Sequence, residues 1–306
     1  MALLDKGMQK SVVGNTQFSL QAAADESLLV RDIFVSGPSG THATINVDRG
    51  AVGYFRVSGA LGNHIGFVLQ NAANEFSPYY TVLGYLNTQG LFDGFPIQTG
   101  QTMTIDGVHQ AASEVVVVYD RYDAGDIRQD MPNGPAANEF IYINYGNSGA
   151  AFSTGGDHEL STAVNPSEFP DFPFGKAVPG RTTVELHGVL ASTFAPVQND
   201  GTDAIYTQYL KFTRNREVLF DKDKNGLLMI DATTNVSTDD QVGEGQSTIG
   251  NYSDVDYKRP LMFDPPLIFE AGEELTVDLN TAITNSGQSM ATADQEIGLI
   301  LKVIRS

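Results

Sequence analysis

Apolar and polar residues alternate along much of this chain, as they do in β-strands that bury one face. Side chains two residues apart lie on the same face of a strand, so each such segment presents an apolar stripe to a core. The pattern predicts half-buried strands around four sets of apolar positions: Ile45 and Val47; Met103 and Ile105; Val184, Leu186 and Leu190; and Leu275, Val277 and Leu279.

Two other segments are apolar at nearly every position, VVVVY at 115–119 and IGLILKVI at 297–304. Such runs predict strands covered on both faces. The 31 Gly and 13 Pro residues separate the apolar segments at short intervals, and no long amphipathic stretch with helical spacing is present. Helices are expected only over 20–26 and 111–114, so the predicted fold class is all-β.

The sequence also contains an internal match. FDGFPIQTGQTMTID at 92–106 and FDPPLIFEAGEELTVD at 263–278 share Phe-Asp, a proline, a Gly turn and a Thr-apolar-Asp ending. Each is followed by a loop and a strongly apolar final strand, and SLLVRDIFVSG at 27–37 resembles RTTVELHGVLAS at 181–192. The match predicts two β-domains of similar build. The alternative is that any strand-turn-strand segment has this pattern and that the chain forms one continuous sandwich.

The join between the two domains is expected near residue 150. Residues 125–180 are rich in Gly, Pro, Ser and Asn around one strand-like segment, EFIYINY, which is the composition of loops and a connector. The predicted domains are therefore 1–150 and 151–306. About eight strands in about 150 residues suit a jelly roll or another β-sandwich in each domain.

This arrangement, carried by the repeated segments at 92–106 and 263–278, resembles the major capsid proteins of double jelly-roll viruses. The resemblance implies a structural protein of the virion that associates with itself, as a trimer in particular, and with other virion proteins. Turret, spike and decoration proteins of virions resemble the chain nearly as well. The likeness is one of architecture, and it transfers no functional residue.

Charge and cysteine content narrow the classes of partner and chemistry. The chain has 18 Lys plus Arg against 37 Asp plus Glu, a net charge of -19, and no Cys. Such acidity repels phosphate backbones, so direct nucleic-acid binding is not expected. The absence of Cys excludes disulfides and thiolate chemistry. No apolar stretch is long enough to span a bilayer, and the start, MALLDKGMQKS, lacks the apolar core of a signal peptide.

One stretch resembles a calcium loop, DKDKNG at 221–226, in which Asp221, Asp223 and Asn225 would be the metal ligands. The twelfth position, which should hold a bidentate acid, is Ala232. Asn-Gly between apolar runs is also the strongest short signal for a hairpin turn. The sequence therefore favours a β-hairpin over 216–231, turning at Asn225-Gly226, over a metal site.

The sequence contains no common enzymatic motif. No two of the five histidines are spaced i, i+2 or i, i+4, as in the ligand pairs that hold zinc or iron; they are His42, His64, His109, His158 and His187. Nucleophile-elbow and phosphate-loop patterns are also absent. Glu114, Asp120 and Asp123 near a strand end are the candidate carboxylates for a glycosidase. They are interpreted as solvated surface groups, and GNHIGF at 62–67 as a turn. No catalytic residue and no cofactor is predicted.

Two functions from different classes therefore remain open. The first is the structural virion protein, which needs no catalytic residue. The alternative is a carbohydrate-binding or glycoside-hydrolysing β-sandwich, which the absence of Trp disfavours. A secreted surface or matrix protein is a third possibility, and the missing signal peptide disfavours it.

Overall fold

The structure is a computed structural model. It describes the following residues: 3–13, 18–36, 41–48, 50–57, 84, 86–87, 89–91, 94–106, 113–125, 139–146, 150–160, 177–191, 197–198, 204–220, 261–283, 289 and 297–306. The chain divides into a first unit, Met1–Ile143, and a second unit, Asn144–Ser306.

Strands dominate both units, which confirms the all-β prediction. The strands are β1 Leu3–Val13, β2 Phe18–Gln21, β3 Glu26–Ser36, β4 Thr41–Val47, β5 Gly50–Val57, β6 Phe95–Ile97, β7 Thr102–Asp106, β8 Ser113–Asp123, β9 Glu139–Gly146, β10 Gly156–Glu159, β11 Thr182–Ala191, β12 Val197–Gln198, β13 Ala204–Arg214, β14 Glu217–Phe220, β15 Leu261–Phe269, β16 Leu275–Ile283 and β17 Ile297–Arg305.

The first unit is a jelly roll. Its two four-stranded sheets have the orders β1-β8-β3-β6 and β2-β7-β4-β5. The antiparallel ladders β1·β8, β2·β7, β3·β6 and β4·β5 are nested around the β4–β5 hairpin. Folding such a nested hairpin over itself puts alternate strand pairs into two sheets, which is the jelly-roll arrangement.

The second unit repeats this topology. One sheet has the order β15-β11-β17-β9, in which β9 begins at residue 139, before the division of the chain at residue 144. The other sheet has the order β10-β16-β13, with β12 and β14 both paired to β13. The ladders β9·β17, β10·β16, β11·β15 and β13·β14 are nested as in the first unit. The chain therefore contains two tandem jelly rolls, and the segments matched in the sequence lie on equivalent strands.

The same backbone turn precedes the equivalent strands β7 and β16. Gly100 has φ 78° and Gly272 has φ 87°, a left-handed conformation that glycine adopts without a steric penalty. The N–H of Gly100 donates to the carbonyl of Ala22 at 3.2 Å, and that of Gly272 donates to the carbonyl of Val178 at 2.8 Å. This pair of hydrogen bonds confirms the match made between the two glycines.

A second corner is also duplicated, between β4 and β5 and between β13 and β14. Asp48 and Asn215 have φ 53° and 54°, a conformation that Asp and Asn tolerate better than most residues. Their side-chain oxygens accept hydrogen bonds from the N–H groups of Thr102, at 3.2 Å, and Glu274, at 2.9 Å. The likeness of the two units therefore extends from strand order to single hydrogen bonds.

The cores consist of the inward-facing residues of these strands. Most positions predicted from alternation are fully or nearly fully buried, namely Ile45, Met103, Ile105, Val184, Leu186, Leu275, Val277 and Leu279. Val47 is only half-buried, and the side chain of Leu190 is not described. Val115 and Val117 are also buried, whereas Val116 and Val118 between them are half-buried. The prediction that the 115–119 strand is covered on both faces is thus only partly correct.

The predicted helix at 20–26 is wrong. Residues 20 and 21 end β2, and residue 26 begins β3. Phe18 and Leu20 are buried while Ser19 and Gln21 are exposed, so the period of a strand overrides the helix propensity of the alanines that follow. The helix expected at 111–114 is also not formed over its described part, because residues 113 and 114 begin β8.

Candidate functional site

The three candidate carboxylates of β8 do not form a catalytic pair. Asp120 is buried and accepts a hydrogen bond from Nε of Arg31 at 2.7 Å. Asp123 is exposed, and Glu114 lies six positions before Asp120 in the same strand, a separation of roughly 20 Å. The described structure therefore gives Asp120 a structural ion pair and does not bring the three residues together.

Two of the five histidines have described side chains. The His158 ring stacks on Phe152 with centroids 3.6 Å apart, and its Nε2 lies 2.8 Å from the carbonyl oxygen of Thr154. Nε2 of His187 lies 2.9 Å from Oε2 of Glu185. Among the described residues, no group of three or more His, Cys, Asp and Glu is arranged to hold a metal ion.

Several other predictions concern residues outside the described part of the chain. These are the candidate calcium ligands Asp221, Asp223 and Asn225, the turn at Asn225-Gly226, the stretch 62–67, and His64 and His109. His42 lies in β4, but its side chain is not described. The strand predicted before the turn is present as β14, which pairs with β13.

A polar cluster that the sequence did not reveal lies on the β10-β16-β13 sheet of the second unit. Nζ of Lys211 donates to Oδ2 of Asp157 at 2.8 Å, and Nδ2 of Asn280 donates to Oδ1 of the same carboxylate at 2.6 Å. Glu159 lies opposite Asp278 on the neighbouring strand, and Asp278 lies opposite Lys211. We call these five residues the acidic cluster.

The pKa values of groups in the acidic cluster are shifted in opposite directions. Burial alone would raise the pKa of Asp157, but the hydrogen bonds from Lys211 and Asn280 outweigh it, and this pKa is lowered. The hydrogen bond to Asp157 raises the pKa of Lys211 against the effect of burial. Burial, followed by the nearby charge of Asp157, raises the pKa of Asp278.

This pattern limits what the acidic cluster does chemically. At neutral pH Asp157 is ionised and Lys211 is protonated, so Lys211 is not a nucleophile and Asp157 is not a proton donor. The two groups instead join β10, at the edge of the sheet, to β13 across β16. The interactions therefore connect three strands that are far apart in the sequence.

The first unit carries a different kind of surface, which we call the β1 surface and define as Leu3, Leu4, Lys6 and Met8. The side chains of Leu3, Leu4 and Met8 are exposed, to 50%, 51% and 70%. They are three of the four exposed large hydrophobic residues in the described part of the chain. An exposed apolar group on an edge strand is a common feature of surfaces that bind another chain.

The similarity of this chain to known proteins is weak. No protein-family model matches the chain, and no curated protein matches it. One similar solved structure is PNGase F, a glycosylasparaginase from Flavobacterium meningosepticum, at 10% identity over 99% of this chain and 96% of that chain. The TM-score of 0.28 is too low to indicate a shared fold or function.

Among the described residues, no helix has the length and apolar character needed to cross a membrane.

Proposed function

We propose that this chain is a structural protein of a virus particle, a capsid protein that assembles with itself into oligomeric capsomers. The observation that supports the proposal is the tandem jelly roll with duplicated corners. Jelly rolls are common in viral capsids, and also in lectins and cupins. Two such units of the same strand order in one chain offer two similar building blocks for a repeating shell.

The proposed oligomer is a trimer, in the virion, with other virion proteins as further partners. Three chains with two similar jelly rolls each present six comparable units, which suits sixfold packing in a lattice. The role requires neither catalysis nor a cofactor, and no direct contact with nucleic acid. Its physical basis is shape and surface complementarity between copies.

The net charge predicts how this assembly responds to salt. Each copy carries -19, and like charges repel over about 10 Å at 0.1 M ionic strength. We therefore expect association to strengthen as monovalent salt or divalent cations are added. Mass photometry and light scattering across a salt series measure this, and electron microscopy of the same samples shows whether discrete capsomers or shells form. A species that stays at 32.9 kDa from low to molar salt would refute the proposal.

One observation in the acidic cluster supports the alternative, a carbohydrate-binding or glycoside-hydrolysing module. Asp157 and Asp278 lie on neighbouring strands, and their pKa values are shifted in opposite directions, as in acid–base pairs of hydrolases. Its test is glycan-array binding and hydrolysis of aryl glycosides by the full chain and by Asp278→Asn. Activity in the full chain that is lost in Asp278→Asn would favour this alternative.

A further inference from the structure

The equivalent strands β6 and β15 lie at one edge of a sheet in each unit, and both contain proline. Strand β6 contains Pro96, and β15 contains Pro265 and Pro266. Proline has no backbone N–H and cannot complete a ladder with another strand. Natural sheets use proline in this way to prevent edge-to-edge pairing. The same edge is therefore protected in both units.

The opposite edge of the sheet in the first unit is β1. This strand has 11 residues and no proline, whereas a typical strand has about 5–6 residues. One side of β1 pairs with β8 along its length, and none of the other described strands pairs with its second side. A long edge strand of this kind presents a row of backbone N–H and C=O groups to an incoming strand.

The side chains beside this edge suit a partner with both apolar and acidic groups. Met8 lies opposite Val118, and Lys6 lies opposite Asp120, so an apolar and a cationic position alternate on one face. Asp120 is already paired with Arg31, and Asp5 is paired with Nε of Arg121 at 3.1 Å. Both carboxylates beside Lys6 are thus engaged by arginines.

The local charge of β1 is opposite to that of the chain. The segment LLDKGMQKSVV has two Lys and one Asp, within a chain of net charge -19. When two copies approach, repulsion is weakest where one of them presents a cationic segment. Pairing of β1 with another β1 would bring lysines together, whereas the acidic remainder of a second copy complements this strand.

We propose that the β1 surface binds a second copy of this chain, by presenting the edge of β1 that no described strand pairs with to an acidic surface of that copy. The contact is head-to-tail, because β1 does not pair with itself. Head-to-tail contacts close into rings when the rotation allows, as the proposed trimer requires. The inference rests on the proposed function, since it names the surface through which the copies associate.

The test uses the full chain with two variants of the β1 surface, Met8→Glu and Lys6→Glu. The matched control is Ile268→Glu, because Ile268 is also an exposed apolar residue, at 47%, but lies on the proline-containing strand β15. Sedimentation velocity and mass photometry at a fixed salt concentration measure the association constant. We expect a loss of at least about tenfold for both β1 variants and no change for Ile268→Glu. Circular dichroism establishes that each variant is folded.

The outcomes separate this inference from the proposed function. If the unmodified chain associates and both β1 variants associate as tightly, the inference is wrong and the proposed function stands. If the unmodified chain is monomeric at every salt concentration, both are wrong. If Met8→Glu does not fold, Lys6→Glu decides, because its exposed side chain is replaced by another charged group on the same surface.

Discussion

Replacing Gly94 with alanine tests how closely the chain before β6 approaches β3. Gly94 has φ 133°, which residues with a Cβ rarely adopt. A Cβ at this position would overlap the backbone carbonyl oxygen of Val30 and would lie 2.8 Å from Cδ1 of Leu29. Backbone strain of about 1–2 kcal/mol adds to overpacking of about 1–3 kcal/mol. We therefore expect the free energy of unfolding to fall by about 2–5 kcal/mol.

Substitutions at two other glycines distinguish the backbone strain from the overpacking. Gly100 also has a positive φ, of 78°, but a Cβ there would meet nothing within 4 Å, so Gly100→Ala is expected to cost only the strain, about 1–2 kcal/mol. A Cβ on Gly180 would also meet nothing within 4 Å. Gly180→Ala is therefore expected to change stability by no more than about 0.5 kcal/mol.

Differential scanning calorimetry and urea unfolding followed by circular dichroism measure the three variants. Gly94 and Gly100 lie in the first unit and Gly180 lies in the second, so each variant is compared with the unmodified chain in the transition of its own unit. In a domain of this size, a loss of 2–5 kcal/mol corresponds to a fall in Tm of about 6–20 °C. If Gly94→Ala is no less stable than Gly100→Ala, the close approach does not determine the stability of this corner.

Three further predictions concern charged and turn residues. Because burial raises the pKa of Asp278, the folded chain loses stability as pH rises through that pKa. After allowance for solvent screening, Asp278→Asn should therefore be more stable than the unmodified chain by about 0.5 kcal/mol at pH 7, and the difference should disappear below about pH 3.5. Thermal melts across pH test this, and equal melting temperatures at pH 7 would contradict it. Arg31→Ala leaves the carboxylate of Asp120 buried without its cation and should cost about 2–4 kcal/mol, and a double-mutant cycle should show that Asp120→Ala restores part of the loss. Asp48→Ala and Asn215→Ala each remove one turn hydrogen bond and should each cost about 1 kcal/mol in urea unfolding; a cost at one corner alone would contradict the equivalence of the two.

Much of the fold could be predicted from local pattern, because a half-buried strand imposes a period of two on its own sequence. The match between 92–106 and 263–278 also located two equivalent strand pairs, since a turn that needs glycine leaves glycine at the same place in each copy. The prediction failed at 20–26, where the alanines favour a helix in isolation but residues 18 and 20 are buried in strand β2.

The acidic cluster could not be predicted in the same way. Asp157, Lys211 and Asn280 lie on three strands that are separated by long stretches of sequence. Their contact depends on the register of two ladders, and a register is set by the whole sheet and its turns. Strand β1 also lacked a local signal: Leu4 and Met8 are four residues apart with Lys6 between them, so apolar residues do not recur at every second position as they do in a half-buried strand.

The nested ladders also determine how this chain reaches its native state during synthesis. Strand β1 is made well before its partner β8, in which Val118 lies opposite Met8. At 5–20 residues per second, the ribosome takes on the order of 10 s to produce that partner. Pairings between strands so distant in sequence form slowly, because the loop between them must close before any contact is gained. Strand β1, which contains Leu3, Leu4 and Met8 and no proline, is thus unpaired throughout that interval, and chaperone binding to the nascent chain is expected to concentrate on this strand.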